Sequence, residues 1–363
     1  MPAVELGFAI NHVADITTKP TVNDVARVAG VSLATVDRVL NTRPGVRGVT
    51  IERVNRAIEQ LGFVRDAAAA NLARGRVYNF LFILPAGDNE FVASLESQID
   101  ALSRSLVTER TNLGFVKVAA FDPPAMARII ANVDPSRVDG IAIFGPETPA
   151  VRDAIDRVKQ SGVRVVSLVS DLPSSARDHF VGIDNVAAGR TAGQLMGRFM
   201  RGDRVKILVI TGSMLARDHL ERRLGFDEIM AKDFPEFEIL ASLEGRDDPE
   251  LLERLLPVAF EANPDINGIY SSAAGNAGLL SFLRERQFER KIVVVAHELT
   301  PLSREALELG VFDAVITQDA GHLVRSAVRV LRAKSDNVPI NPAQELVRID
   351  VYLKENIPPI GRV

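Results

Sequence analysis

The 363-residue chain contains no cysteine and no tryptophan. Without cysteine there is no disulfide framework, no thiolate metal site and no cysteine nucleophile. Its histidines, His12, His179, His219, His297 and His322, are scattered rather than spaced for a metal. A phosphate-cradling Gly-x-x-x-x-Gly-Lys loop is missing, as is a Gly-x-Gly-x-x-Gly turn after the first body strand. These gaps argue against an enzyme and leave no cofactor or metal to expect. No apolar run approaches the ~18–20 residues of a membrane span. Met1–Thr18 lacks the basic start, apolar centre and small-residue cleavage site of a secretory signal. A cytoplasmic protein without membrane contact is expected.

What the chain does have is length for two or three folded units and the composition of a globular protein, 47% hydrophobic and 25% charged. The net charge of −4 hides an asymmetry. Residues 19–76 carry ten Lys/Arg against five Asp/Glu, whereas residues 77–363 carry 33 against 40. A basic head on an acidic body suggests that the head meets a polyanion.

Residues 1–18 show no periodicity and read as a flexible leader. Thr21 and Asp24 then frame a helix start, with Val22, Val25, Ala26 and Ala29 as its apolar stripe and Gly30 as its stop. Ser32 can cap a second helix, Leu33–Leu40, with Val36, Val39 and Leu40 inward. A third helix from about Val49 to Leu61 places Ile51, Val54, Ile58 and Leu61 on one face. Three short helices, one tight turn and a basic surface make a helix-turn-helix head over 19–64. Residues 65–76 are alanine-rich and read as a helical linker that folds only when something packs on it.

After Arg76 the pattern changes. Tyr78–Leu84 is a continuous apolar run, the mark of a buried parallel strand. A helix over Phe91–Glu109, a strand over Thr111–Ala119 and a helix over Ala125–Val133 follow, then strands Gly140–Phe144 and Arg164–Val169 around helix Pro149–Ser161. The alternation restarts with helix Ala187–Met200, strand Val205–Ile210, helix Glu221–Phe234 and strand Glu238–Leu243. Helix Pro249–Ala262, strand Gly268–Ser271, helix Asn276–Arg286 and strand Lys291–Ala296 complete it. Strand–helix alternation run twice predicts an α/β body of two doubly wound, Rossmann-like lobes, with a ligand cleft at the carboxyl ends of the strands.

The run Thr21-Val-Asn-Asp-Val-Ala-Arg-Val-Ala-Gly-Val-Ser-Leu-Ala-Thr-Val-Asp-Arg-Val-Leu-Asn41 resembles the head of the lactose-repressor (LacI) family. Pro44-Gly45-Val46, Thr50, Val54, Leu61-Gly62-Phe63, Asp66, Ala69, Leu72 and Ala73 continue the likeness. The resemblance makes Leu33, Ala34 and Arg38 the base readers: Arg38 can fork onto a guanine, while Leu33 and Ala34 offer apolar contact. Thr21, Ser32, Thr35, Asn41 and Thr50 match phosphate-contacting positions, which fix register without reading sequence. For Ser32 a plain helix cap is the alternative. Ala69 and Leu72 match the hinge helix, whose leucine wedges into the minor groove; Leu72 could instead pack the linker on the body. Asp37, Arg47, Asp66 and Asn71 depart from the family pattern and leave the operator open.

The body resembles the periplasmic-binding-protein type I fold that this family uses to sense effectors. The resemblance implies an N-lobe of 77–175 and 310–337 and a C-lobe of 176–309 and 338–363. Arg222 matches the effector-binding arginine, whose planar fork suits vicinal hydroxyls or a carboxylate. Glu298 stands where sugar-binding relatives have an aspartate, Gln318 matches a hinge glutamine, and Phe91 is placed to stack on a sugar. His297 neighbours Glu298, and Asp184 belongs to the motif Val181-Gly-Ile-Asp-Asn185. Ser271-Ser-Ala-Ala-Gly-Asn276 lacks the carboxylate of many sugar-responsive members, with Ser272 and Asn276 there to substitute. Plainer alternatives are a surface pairing of Arg222 with Glu221 or Asp218, helix capping by Asp184, and a core Phe91. His219, beside Asp218 and Glu221, reads as part of an exposed charged helix start.

The body alone would suit a solute-binding protein of a transporter, but the DNA-binding head points to a regulator, in all a repressor. The resemblance implies a homodimer on a pseudo-palindromic operator in double-stranded DNA. Its affinity would be set by a small-molecule effector, a sugar or polyol, in the interlobe cleft. No leucine-heptad tail follows Ile357, so no tetramer of that kind is expected.

Overall fold

The computed structural model describes residues 20–40, 44–63, 76–200, 202, 204–273, 275–286 and 291–359. The expected leader over 1–18, Asn41, and the linker positions Ala69 and Leu72 lie outside the described residues. The chain divides into two units, 1–75 and 76–363.

In the first unit, α1 (Val22–Ala29), α2 (Leu33–Leu40) and α3 (Gly48–Leu61) close on one small core. Val25, Val36 and Val54 form its centre, with Ala26, Ala29, Ala57 and Phe63 around them. Thr21 and Asp24 make a reciprocal capping box, and Gly30 ends α1 at φ 62°. There the left-handed backbone lets its N–H reach back to the last turn, a conformation glycine adopts without steric penalty. Ile51 does not face inward as its spacing suggests. It is 38% exposed, because the inner face of α3 runs through Val54, Ala57, Ile58 and Leu61 and Ile51 overhangs it.

The second unit holds two sheets. In the first, β1 (Tyr78–Ala86), β2 (Thr111–Ala119), β3 (Gly140–Ile143), β4 (Arg164–Leu168) and β5 (His179–Val181) lie parallel in the order β2-β1-β3-β4-β5. The helices α4 (Glu90–Ser105), α5 (Pro123–Ala131) and α6 (Pro149–Gln160) connect them. The second sheet repeats that order with β6 (Lys206–Thr211), β7 (Glu238–Ile239), β9 (Gly268–Ser271), β10 (Val293–His297) and β11 (Ala314–Thr317). A short β8 (Leu243–Glu244) also pairs with β6, and an antiparallel β12 (Asp350–Tyr352) lies against β11. Its helices are α7 (Asn185–Phe199), α8 (Arg217–Asp233), α9 (Pro249–Ala262), α10 (Asn276–Glu285) and α11 (Pro301–Glu308). Then α12 (Ala320–Asp336) and α13 (Pro342–Glu345) return to the first lobe, where α12 packs on β4, β3, β5 and α4.

Two expectations about the body need correcting. The lobe boundaries at 175/176, 309/310 and 337/338 fall later: β5 pairs with β4, β11 pairs with β10, and Glu345 of α13 is bonded to Ser326 and Arg329 of α12. The three crossings therefore lie after Val181, after Thr317 and before Asp350. β5 and β11 are strands of three and four residues, too short to carry a period of their own. The helix expected from Glu221 starts at Arg217, a full turn earlier, which carries Asp218 and His219 into the interior.

Helices α7 and α8 touch backbone to backbone. A Cβ on Gly189 would lie 2.0 Å from the Arg222 carbonyl oxygen, and one on Gly225 would lie 1.9 Å from that of Val186. The two glycines thus fix where Arg222 stands. Gly225→Ala is expected to cost about 1–3 kcal/mol of body stability or more, because the obstacle is main chain that cannot yield. Gly114→Ala, on β2 with no atom within 4 Å of the added carbon, should leave the thermal midpoint unchanged or slightly raised. Equal midpoints for the two variants would contradict this packing.

Candidate effector cleft and DNA-facing helix

A cleft of about 270 Å³ opens where the strands of both lobes end. One wall is Pro85 at the end of β1 with Asp88–Phe91 beyond it, Phe121 after β2 and Phe144 after β3. The other is Asp218, His219 and Arg222 of α8, Asp247, Asn276, His297 and Glu298. The strand order reverses between β1 and β3 and between β6 and β9, and ligands of doubly wound sheets bind at that switch point.

Four cleft residues other than glycine hold a left-handed backbone: Phe121 at φ 56°, Val169 at 65°, Asp247 at 55° and Glu298 at 64°. Each costs about 1–2 kcal/mol relative to an ordinary conformation. Their concentration at one cavity marks it as a functional place.

At the floor, Arg222 is 2% exposed. Its Nε donates to Asn185 Oδ1 at 2.9 Å, Nη1 to the Ser272 carbonyl at 3.0 Å, and Nη2 to Glu298 Oε1 at 3.2 Å. Glu298 also accepts from Gln318 Nε2 at 3.0 Å and from the Thr317 hydroxyl at 3.2 Å. Burial raises the Glu298 pKa, with the Arg222 charge and these donors opposing it. Burial, helped by Arg222 and His219, holds His297 well below the usual imidazole range, so its ring is neutral. The ring Nε2 lies 3.0 Å from the Tyr270 hydroxyl, while Nδ1 has no partner among the described residues.

The cleft brings together Phe91, Arg222, Asn276, His297 and Glu298. Phe91 belongs both to the cleft wall and to the hydrophobic core. Ser272 and Gln318 stand behind it, buried, holding Arg222 and Glu298. Asp184 does not line it: exposed, it caps α7 by accepting from Ala187 N. Asn276 bonds Ser271 and the His297 carbonyl, so it ties the ends of β9 and β10 together. The surface pairing of Arg222 does not occur.

Asp218 and His219, read from sequence as an exposed helix start, are 3% and 7% exposed and line the cleft. Asp218 Oδ2 lies 3.6 Å from His219 Nε2, and its main-chain N–H donates to Ser170. Burial pushes the Asp218 pKa up, but the neighbouring His219 and Arg222 charges, with the Ser170 hydroxyl, outweigh it and the net shift is downward. Their spacing from Arg222, one turn along the same helix, was the available signal. Asn89 Nδ2 donates to Asp247 at 3.3 Å across the cleft, and Arg217 pairs with Glu147 at 3.0 Å between the same two lobes.

In the first unit, Leu33, Ala34 and Arg38 lie on the exposed face of α2, with Leu33 50% exposed. Ser32 caps that helix by accepting from Thr35 N, so the capping alternative holds in the protein alone. Thr21 is exposed, Thr35 and Thr50 half-buried. Arg47 precedes α3 with no side-chain cap bond.

A three-helix head whose second helix exposes Leu33, Ala34 and Arg38 stands in one chain with a two-lobed body that holds a cleft, the layout of a head joined to a binding domain. Residues 80–337 match the family described as a periplasmic binding protein domain, and residues 21–66 match bacterial regulatory proteins of the lacI family. The chain belongs to the periplasmic binding protein domain family over residues 80–337, most of its length, and carries a head of the lacI family of bacterial regulatory proteins over residues 21–66. Similar proteins include the HTH-type transcriptional regulator DegA of Bacillus subtilis (strain 168), 26% identical over 260 residues, 68% of this chain and 74% of that one. Catabolite control protein A of Staphylococcus aureus (strain MRSA252) is 25% identical over 217 residues; the match spans 58% of this chain and 61% of that relative's length. Among solved structures, GanP, a glucose-galactose binding protein from Geobacillus stearothermophilus, superposes with a TM-score of 0.70 at 21% identity, covering 78% of this chain and 99% of its own. A solute-binding protein from Burkholderia graminis, solved with D-arabinose, gives 0.69 at 22%, covering 81% and 98%. At those identities the likeness is one of fold. No helix among the described residues is long and apolar enough to cross a membrane.

Arg222→Ala would leave the Glu298 carboxyl buried without its cation and should cost about 3–5 kcal/mol in denaturant unfolding of the body. Adding Glu298→Gln in the same chain should recover most of that loss. A double variant no more stable than the single one would show that the two groups are not coupled.

Proposed function

We propose that the protein is a cytoplasmic, sequence-specific transcriptional repressor whose hold on operator DNA is set by a sugar or polyol bound in the cleft. The observation that carries this reading is the Arg222 network. It joins α8 to Asn185 just after the first crossing between lobes, and through Glu298 to Gln318 just after the second. A ligand that rearranges these bonds differs in its contacts between lobe arrangements, the condition for shifting an equilibrium between them.

Two copies would present two α2 helices to a pseudo-palindromic site, with Arg38 forking onto a guanine and Leu33 and Ala34 against base methyl groups. Thr21, Ser32, Thr35, Asn41 and Thr50 would hold the phosphates, and Ala69 and Leu72 would enter the central minor groove. The effector would either release or order this arrangement; induction and co-repression fit equally.

The effector reading is tested by thermal melting of the full chain against pentoses, hexoses, inositols, sugar phosphates and nucleosides. A ligand at ~100 times its Kd should add about 2.7 kcal/mol, a shift of a few degrees. No shift with any of them would remove the sugar reading and leave the DNA-binding one. For the head, Arg38→Lys keeps the charge and loses the fork. On a site selected from random duplexes it should cost about 1–3 kcal/mol, with salt-dependent nonspecific binding retained. Unchanged specific affinity would take Arg38 off the bases.

A further inference from the structure

Charge in the cleft is one-sided. Among the described lining residues, Asp88, Glu90, Asp218, Asp247 and Glu298 are acidic, and Arg222 is the single Lys or Arg. That guanidinium is already committed: three of its five N–H groups point at Asn185, Ser272 and Glu298, the last supplying its counter-charge. Asp218 is the opposite case. It is 3% exposed, its Oδ2 faces His219, and its Oδ1 has no hydrogen-bond partner among the described residues. A buried carboxylate oxygen without a donor costs free energy until something donates to it. The cavity it lines has the aromatic walls Phe91, Phe121 and Phe144, against which the apolar face of a sugar ring can lie. The neutral His297 ring adds a second buried atom without a partner among the described residues, Nδ1.

We propose that the cleft takes an uncharged polyhydroxylated effector, and that Asp218 accepts its hydroxyl hydrogens and turns away phosphorylated or carboxylated relatives. This rests on the reading of the cleft as the effector site and adds the ligand's charge class to it. A hydroxyl supplies the hydrogen that Oδ1 lacks. A phosphate or carboxylate at neutral pH supplies none at its oxygens and sets like charge against a buried carboxylate, with no free Lys or Arg among the described lining residues to compensate. The fork of Arg222, which by itself suits hydroxyls or a carboxylate, is thereby left for hydroxyls.

The test is calorimetric titration of the full-length protein with matched ligands: D-ribose and ribose 5-phosphate; D-glucose, glucose 6-phosphate and glucuronate; myo-inositol and its monophosphate. In whichever set binds, the neutral member should bind at least about 100-fold more tightly than its anionic partners, the scale of a buried like-charge contact. Asp218→Asn, nearly isosteric, should narrow that ratio to under about tenfold. Tighter or equal binding of an anionic member would overturn the charge selection while leaving the cleft as the effector site. An unchanged ratio in a folded Asp218→Asn protein would overturn the role of Asp218, and Asp218→Ser reads the same ratio should the asparagine variant not fold. No binding by any member would overturn both this proposal and the sugar reading beneath it.

Discussion

The buried pair Arg222–Glu298 is the contact on which the body's arrangement depends. Neither charge could stand at that depth alone. The guanidinium is held by Asn185 and the Ser272 carbonyl, and the carboxylate by Gln318 and Thr317, so each polar group has partners as well as a counter-charge. These partners come from the segments where the chain passes between lobes and from the ends of β9 and β10. A pair that only stabilised the fold could be replaced by packed apolar side chains at little cost. One wired to both crossings is sensitive to how the lobes sit.

Other features of the body serve that placement. Gly189 and Gly225 bring α7 and α8 close enough for Arg222 to reach across to Asn185. Left-handed residues turn the chain sharply at the strand ends, so that Glu298 points back toward Arg222 rather than continuing along β10. The hydrophobic core carries the cost of that strain. It runs without interruption from Phe80 and Phe82 in one lobe to Phe226, Tyr270 and Val295 in the other, behind the polar floor. A cavity with a polar floor backed by continuous apolar packing can change its contacts without unfolding its walls.

The head is built on a different scale. Its core has a handful of small side chains around Val25, Val36 and Val54, and much of its order comes from local devices such as the Thr21–Asp24 box and the Ser32 cap. Hydrogen bonds to Thr21 and the Arg27 charge bring the Asp24 pKa down to about 2. Local devices are legible in sequence, which is why Thr21, Gly30 and Ser32 could be read directly. Ile51 could not, because helical spacing gives a face but not how far the opposing helices extend over it.

Sequence by itself determined the two kinds of unit, the strand–helix alternation, the exposed face of α2 that carries Leu33, Ala34 and Arg38, and the inward placement of Arg222, Glu298 and His297. Each follows from local periodicity, capping chemistry or a motif that resembles a family. Tertiary structure alone decided that β5 and β11 complete sheets on opposite sides of the crossings, since strands that short exist only by pairing with β4 and β10. It also decided that Asp184 caps a helix outside the cleft while Asp218, on an equally polar stretch, is buried inside it. The two aspartates look alike in sequence. What separates them is packing: Asp184 accepts from Ala187 N at an exposed helix start, whereas Asp218 stands against Ser170, brought to it from far away in the chain.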